Sequence, residues 1–371
     1  MPSITKAWLK EKMEEVMEEP VMVECLKKDE DPKGLLSRVF TATVTLLRTG
    51  RTLELFIKAA SESQDMVEFV KEQNLDKLEL QFYQEIVPDL ATFEKKVSRS
   101  SVVEEIVPNL VAGNSGDFYF IMENLCSRQF EVRDCNSGLG LEDMKTLVQT
   151  LASFHSATMA MERDRVGKKQ NWSWRSQYAH LSTFLDTLTD NPMVAELVQD
   201  SLELLSKNYP EYKGSETEAR LTQYSKNFNL LIPELARGNC LVHSDLWGNN
   251  IMFNTSGQIK ILDFQFLAPG DPMLDLGIAI LFNSNIKFFQ EESILEDLLL
   301  SYFQTTHRRC EELGFLSDFR DFSDLKQRFF SVGVKSAILF GLLNSAIMVK
   351  YQKLLERFWN ILMLEQQQLL Q

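Results

Sequence analysis

Apolar positions along the chain change their period near residue 125. Before that point alternation dominates. Val39–Leu47 and Thr52–Ala59 place β-branched and apolar residues at every second position, joined through Thr49-Gly50-Arg51, and predict two neighbouring strands. Pro20–Leu26 is a short apolar run suited to an edge strand, and Asp31-Pro32-Lys33-Gly34 predicts the turn that follows it. Ser101–Leu110 and Phe118–Met122 complete the strand set. Two helices interrupt it. Thr5–Met17 carries Trp8, Leu9, Met13, Val16 and Met17 at helical spacing, and a second helix presents Leu78, Phe82 and Tyr83 with Glu79 among them.

From Leu141 onward the spacing is helical almost to the end. Leu141–Met161 turns Leu147, Leu151, Phe154 and Met159 inward and carries His155, which reads as a buried, hydrogen-bonded histidine. Lys168–Arg175 breaks the pattern and reads as a loop; exposed Trp172 and Trp174 there would line a pocket, whereas packed ones would not. Helical stretches follow at Ser182–Lys207, Glu216–Glu234, Met273–Phe282, Glu291–Leu313 and Ser323–Leu370. The pattern predicts an α+β chain of two lobes, a small antiparallel sheet with one main helix over residues 1–124 and a larger, mostly helical lobe over residues 125–371.

One stretch breaks the helical second half and carries the chemistry. Cys240–Gln265 reads as two short apolar strands, Cys240–Val242 and Gln258–Leu262, around a polar loop and a turn at Asn254–Gly257. They display His243, Asp245, Asn250 and Asp263 at one edge. Asp, Asn and Asp are hard oxygen donors, suited to Mg²⁺ carrying phosphate rather than to zinc or iron. Any one of these residues alone would pass as a turn cap facing water; the ordered set, H-x-D-x-x-x-x-N and then a strand ending in Asp-Phe, does not.

The segments H-S-D-L-W-G-N-N-I-M-F and I-L-D-F-Q resemble the ecdysteroid kinase-like proteins, a branch of the choline kinase and aminoglycoside phosphotransferase group. The resemblance runs from about Gly34 to Phe340 and is most specific in this core. It implies a protein-kinase-like fold, ATP and Mg²⁺, and transfer of the γ-phosphate to a hydroxyl. On that resemblance Asp245 accepts the proton of the attacking hydroxyl and Asn250 and Asp263 hold Mg²⁺. His243 fixes the loop through backbone hydrogen bonds. Lys58, ending L-E-L-F-I-K, meets the nucleotide phosphates and pairs with Glu79; by itself it would read as a strand-end lysine in solvent. Ser37 is a phosphate contact in a loop that otherwise reads as a surface turn. Glu123 and Leu125 lie in the linker that meets the adenine edge through backbone groups. Asp275 either bonds the catalytic-loop backbone or sits as a carboxylate at a helix start. His155 buttresses the same loop.

Two departures and one distance shape the acceptor. Ser244 stands where this group usually has Gly, so a positive φ there would cost about 1–2 kcal/mol. Trp247 stands where protein kinases place a lysine, and only twelve positions separate Asp263 from Asp275, too few for a peptide-docking segment. A small-molecule hydroxyl is expected, and the resemblance implies a steroid-like or other apolar one. A choline- or ethanolamine-like acceptor, or a binder without turnover, is the alternative. A formal charge of −14 argues against nucleic acid or an anionic membrane as partner. Five scattered cysteines predict reduced thiols and a cytoplasmic setting. The charged start and the longest apolar run, Ala337–Val349, predict a soluble chain with no membrane span. The sequence names no protein partner.

Overall fold

The computed structural model describes residues 3–29, 36–169, 171–181, 192–226, 235, 238 and 240–369. Helix α1 (Lys6–Met17) starts where Thr5 Oγ1 accepts the N–H of Trp8. Strands β1 (Val21–Lys28), β2 (Ser37–Leu46), β3 (Thr52–Ala60), β4 (Leu110–Asn114) and β5 (Tyr119–Glu123) form one antiparallel sheet in the order β1-β2-β3-β5-β4. Alternation sends Phe40, Ala42, Val44, Leu55, Ile57 and Ile121 to one face, where Leu9 and Met13 of α1 cover them in a core of their own. The other face carries Lys58, Phe120 and Met122 toward the cleft. β1 is an edge strand, as its short apolar run predicts.

Between β3 and β4 the chain builds helices. After α2 (Gln64–Glu72), residues 75–98 form the one main helix expected, with α3 (Leu75–Gln81) and α4 (Val87–Ser98) flanking a π turn at Phe82–Ile86. Ser101–Leu110 is not a strand. Val102–Ile106 is helix α5, nucleated by Ser101, whose Oγ accepts the N–H of Glu104. The strand begins only at Leu110.

The second part comprises β6 (Glu131–Val132), α6 (Leu141–Lys168), α7 (Trp174–Gln177), α8 (Pro192–Asn208), α9 (Glu216–Lys226), β7 (Cys240–Val242), β8 (Ile251–Phe253), β9 (Ile259–Ile261), β10 (Ala268–Gly270) and α10 (Met273–Asn283). It ends with α11 (Glu292–Glu312), α12 (Phe322–Arg328), α13 (Val334–Leu343), α14 (Ser345–Lys350) and α15 (Gln352–Leu369). The structure refines three expectations. Both strands of the core stretch form, and a further strand, Ile251–Phe253, too short to show a period, pairs with β9 and β6, while β7 pairs with β10. Trp172 and Trp174 are the packed alternative: their rings meet each other, and Trp174 stacks on Tyr178. The stretch from Ser323 is not one helix, since a π turn at Phe329–Gly333 and breaks at Asn344 and Tyr351 divide it. The turn at 31–34 with Gly34, residues 182–191 of one expected helix and the end of another at 227–234 lie outside the described residues. Among those described, no helix is long and apolar enough to cross a membrane.

Candidate active site

The loop after β7 is shaped by one buried carboxylate. Asp275, in the first turn of α10, accepts the N–H of His243 at 2.7 Å and of Ser244 at 2.8 Å. Its position at a helix start and its loop bonds are therefore one arrangement, not alternatives. His155 of α6 stands behind it, with Nε2 3.1 Å from Asp275 and Nδ1 2.8 Å from the Tyr302 hydroxyl. All three side chains are buried. His155 thus buttresses the loop through Asp275.

Those two bonds turn the backbone so that Ser244 has φ +69°, in the left-handed region that glycine enters freely. The Ser244 hydroxyl is buried without a hydrogen-bond partner among the described residues. His243 then uses both ring nitrogens on the backbone. Nδ1 accepts the N–H of Asp245 at 3.2 Å, which leaves the proton on Nε2 to bond Leu262 O at 2.7 Å. Burial holds His243 below the ordinary imidazole range, consistent with this neutral form.

Asn250 fixes Asp245. Its Nδ2 donates to the Asp245 carbonyl at 2.8 Å and to Oδ2 at 2.9 Å. Burial, with the nearby Asp263 carboxylate, pushes the Asp245 acid well above the usual carboxylate range. Across the cleft, Lys58 Nζ lies 2.7 Å from Glu79 and 2.6 Å from Asp263. Burial alone would depress the Lys58 ammonium, but Asp263 and Glu79 outweigh it and hold it charged. Burial pushes Glu79 up to about 7, Lys58 opposing.

Asp263 is itself left-handed, φ +65°, and its other oxygen accepts from Gln265 at 3.3 Å. The turn throws Phe264 back onto Phe82, with centroids 3.8 Å apart, and onto His243 at 4.6 Å. This ring wedges the main helix of the first lobe against the loop after β7. Phe264 is the aromatic residue of the Asp-Phe pair that closes the ordered set, whereas nothing in the spacing assigns Gln265 its bond to Asp263.

These groups line one cavity of about 590 Å³. Ser37 lies on its wall at the start of β2, and Glu123 and Leu125 lie at the end of β5. The Glu123 carboxylate is engaged by Arg128 at 2.8 Å and by the Asn109 N–H at 3.0 Å. Lys58, Glu79, Asp245, Asn250 and Asp263 share the cavity's polar wall. The opposite end is apolar, with Val194, Leu197, Leu339, Phe340, Leu343 and Ile347. Those helical positions follow a periodic face in the sequence, but periodicity alone does not separate a cavity wall from a core.

Asn250 and Asp263 suit a hard cation. The Asn250 amide spends its nitrogen on Asp245, and the Leu262 N–H bonds Asn250 O at 2.9 Å, holding the two donors on adjoining segments. Oxygen donors on the wall of this cavity match Mg²⁺ better than softer metals.

A sequence model of the ecdysteroid kinase-like family matches residues 33–315. Among solved structures, the chain is similar to a choline kinase from Cryptosporidium parvum Iowa II, at 12% identity and a TM-score of 0.48, over 93% of this chain and 90% of that one. It is similar to a choline kinase from Streptococcus pneumoniae at 12% identity and a TM-score of 0.45, over 95% and 98% of the two chains. A macrolide 2'-phosphotransferase from Brachybacterium faecium matches at 13% identity and a TM-score of 0.44, over 96% and 97%. No curated protein matches the chain in sequence.

Proposed function

The chain belongs to the ecdysteroid kinase-like family and is a small-molecule kinase, and on that premise we propose that it moves the γ-phosphoryl group of ATP, with Mg²⁺, to a hydroxyl of an apolar small molecule. The observation that carries this reading is the cavity itself. One wall holds Lys58, Glu79, Asp263, Asn250 and Asp245, and the far end is apolar.

Residues 1–124 bind the nucleotide and 125–371 supply the base and the acceptor pocket. Lys58, held by Glu79, meets the phosphates, with Ser37 beside them and the backbone of Glu123 and Leu125 at the adenine edge. Asn250 and Asp263 would hold Mg²⁺, which when bound neutralises phosphate charge. Asp245 presents the carboxylate oxygen that Asn250 leaves free. As the acceptor oxygen bonds to phosphorus and the bond to the β–γ bridging oxygen breaks, the hydroxyl proton passes to Asp245. A carboxylate whose proton affinity is raised by burial suits that task. His243, Asp275 and His155 hold the loop and take no proton.

The far end favours an apolar acceptor, ecdysteroids among them, over a choline-like one. A quaternary ammonium would want carboxylates or an aromatic box, whereas the far end is mostly aliphatic, with Leu339, Leu343 and Ile347 beside Phe340. A cytoplasmic setting is proposed on the five cysteines, none of which forms a disulfide.

The test is incubation with labelled ATP, Mg²⁺ and a small-molecule extract, with products identified by mass spectrometry. Phosphate is expected on an apolar alcohol. Asp245→Asn should cut transfer by roughly 10²–10⁴-fold while nucleotide affinity stays within about twofold. Full turnover in that variant would remove Asp245 from the chemistry. Phosphate on serine peptides would overturn the acceptor class, and nucleotide binding without any product would favour a binder.

A further inference from the structure

The helical wall of the acceptor end carries two polar residues, and the hydroxyl of one, Ser336, donates to Leu274 O and Gly333 O of its own fold. Ser336, Leu339, Phe340 and Leu343 of α13 and Ile347 of α14 line the cavity, at spacings that place them on one helical face. Asn344 falls on that face, four residues after Phe340 and three before Ile347, and lines the cavity too. Its backbone leaves helical geometry, with φ −126° and ψ 38°. The Asn344 N–H therefore turns to Gly341 O at 3.3 Å, and Phe340 O loses its usual partner.

The carboxamide replaces that partner. Asn344 Nδ2 donates to Phe340 O at 2.8 Å, and Asn344 O accepts from the Met348 N–H at 3.1 Å, so the helix resumes. A carbonyl oxygen only accepts, so the amide atom facing Phe340 is the nitrogen. This fixes Oδ1 as well: it is an acceptor on a wall made largely of Leu339, Phe340, Leu343 and Ile347, and it receives no bond among the described residues.

We infer that Asn344 is a specificity-determining residue, whose Oδ1 accepts a hydrogen bond from a second hydroxyl of the acceptor, remote from the one that is phosphorylated. The inference rests on the reading of this cavity as an alcohol site. A ligand with one hydroxyl spends it at Asp245 and leaves Oδ1 unpaired in apolar surroundings; a ligand with hydroxyls at both ends satisfies both. Sites built to bond a hydroxyl reject the analogue that lacks it far more sharply than apolar pockets reject an extra methylene. Asn344 thus selects polyhydroxylated apolar molecules over monohydroxylated ones.

The experiment compares the affinities of a polyhydroxylated ecdysteroid and of a steroid with a single hydroxyl, by calorimetry, in the presence of ADP and Mg²⁺. Wild type should prefer the first. Asn344→Ala should lose about five- to tenfold of that preference, the equivalent of one hydrogen bond. Asn344→Asp keeps an accepting oxygen but, like alanine, cannot donate to Phe340, so it should retain most of the preference. Equal loss in the two variants would make Asn344 a helix-break residue only, and an unchanged preference in Asn344→Ala would overturn the inference outright. Wild type that binds ADP with Mg²⁺ but neither steroid would sink the alcohol-site reading and this inference with it. Wild type that binds both steroids equally would sink the inference alone.

Discussion

At the scale of single residues, Ser244 holds a geometry that serine disfavours. Its N–H and that of His243 are both committed to Asp275, so the loop cannot relax without losing two bonds to a buried carboxylate. The strain of a left-handed serine is about 1–2 kcal/mol, and its buried hydroxyl has no partner among the described residues to offset it. Ser244→Gly should therefore stabilise the protein by about 1 kcal/mol, less the entropy glycine adds to the unfolded chain. Urea denaturation measures this, and a loss of stability would show that the hydroxyl is satisfied. The polar site was legible at this scale because it rests on identity and order. Lys58 and Glu79 meet within the first lobe as the sequence suggested, and Asp275 does bond the loop. Gln265 and Asn344 were not legible. Their partners are backbone or carboxylate atoms whose positions only the fold supplies.

At the scale of elements, the misread segments share a cause. Ser-Val-Val-Glu-Glu-Ile is rich in β-branched residues, yet it coils because Glu94 of α4 takes both the Ser101 hydroxyl at 2.9 Å and the Val103 N–H at 3.2 Å. A partner brought from another element overrides local preference. Ile-Met-Phe at 251–253 is simply shorter than any period. Helix contacts set a further requirement on α10, which carries Asp275. Gly277 packs directly on the backbone of Gly333 in the π turn, and a Cβ there would collide with the Gly333 carbonyl. Gly277→Ala should cost roughly 1–3 kcal/mol, and it should lower turnover more than nucleotide affinity because it shifts Asp275 and the loop. Equal stability with full turnover would show that the two helices can part freely.

At the scale of the whole molecule, the segment between β3 and β4 is fastened to the second lobe by buried polar bonds. Glu94, fully buried, lies 3.1 Å from Arg309 of α11. Asp89 accepts from the Tyr178 hydroxyl at 2.7 Å, and Lys260 of β9 donates to Val107 O at 2.6 Å. One continuous apolar core runs from Val67 and Phe82 through Phe264 to Phe358. Arg309→Met should destabilise by about 3–5 kcal/mol, since it leaves Glu94 buried beside an uncharged side chain. Adding Glu94→Gln should recover part of that loss, and calorimetric melting of the single and double variants checks both.

The same fastenings limit how this enzyme can be governed. Many nucleotide-driven enzymes are silenced when the helix bearing the lysine's carboxylate partner swings outward. Here Glu79 sits on a helix whose far half carries Asp89 and Glu94, so that swing would have to part both of their bonds to the second lobe. With that lever held, an outward swing of the helix would cost the bonds that join the lobes, so silencing by that route is opposed by the fold itself.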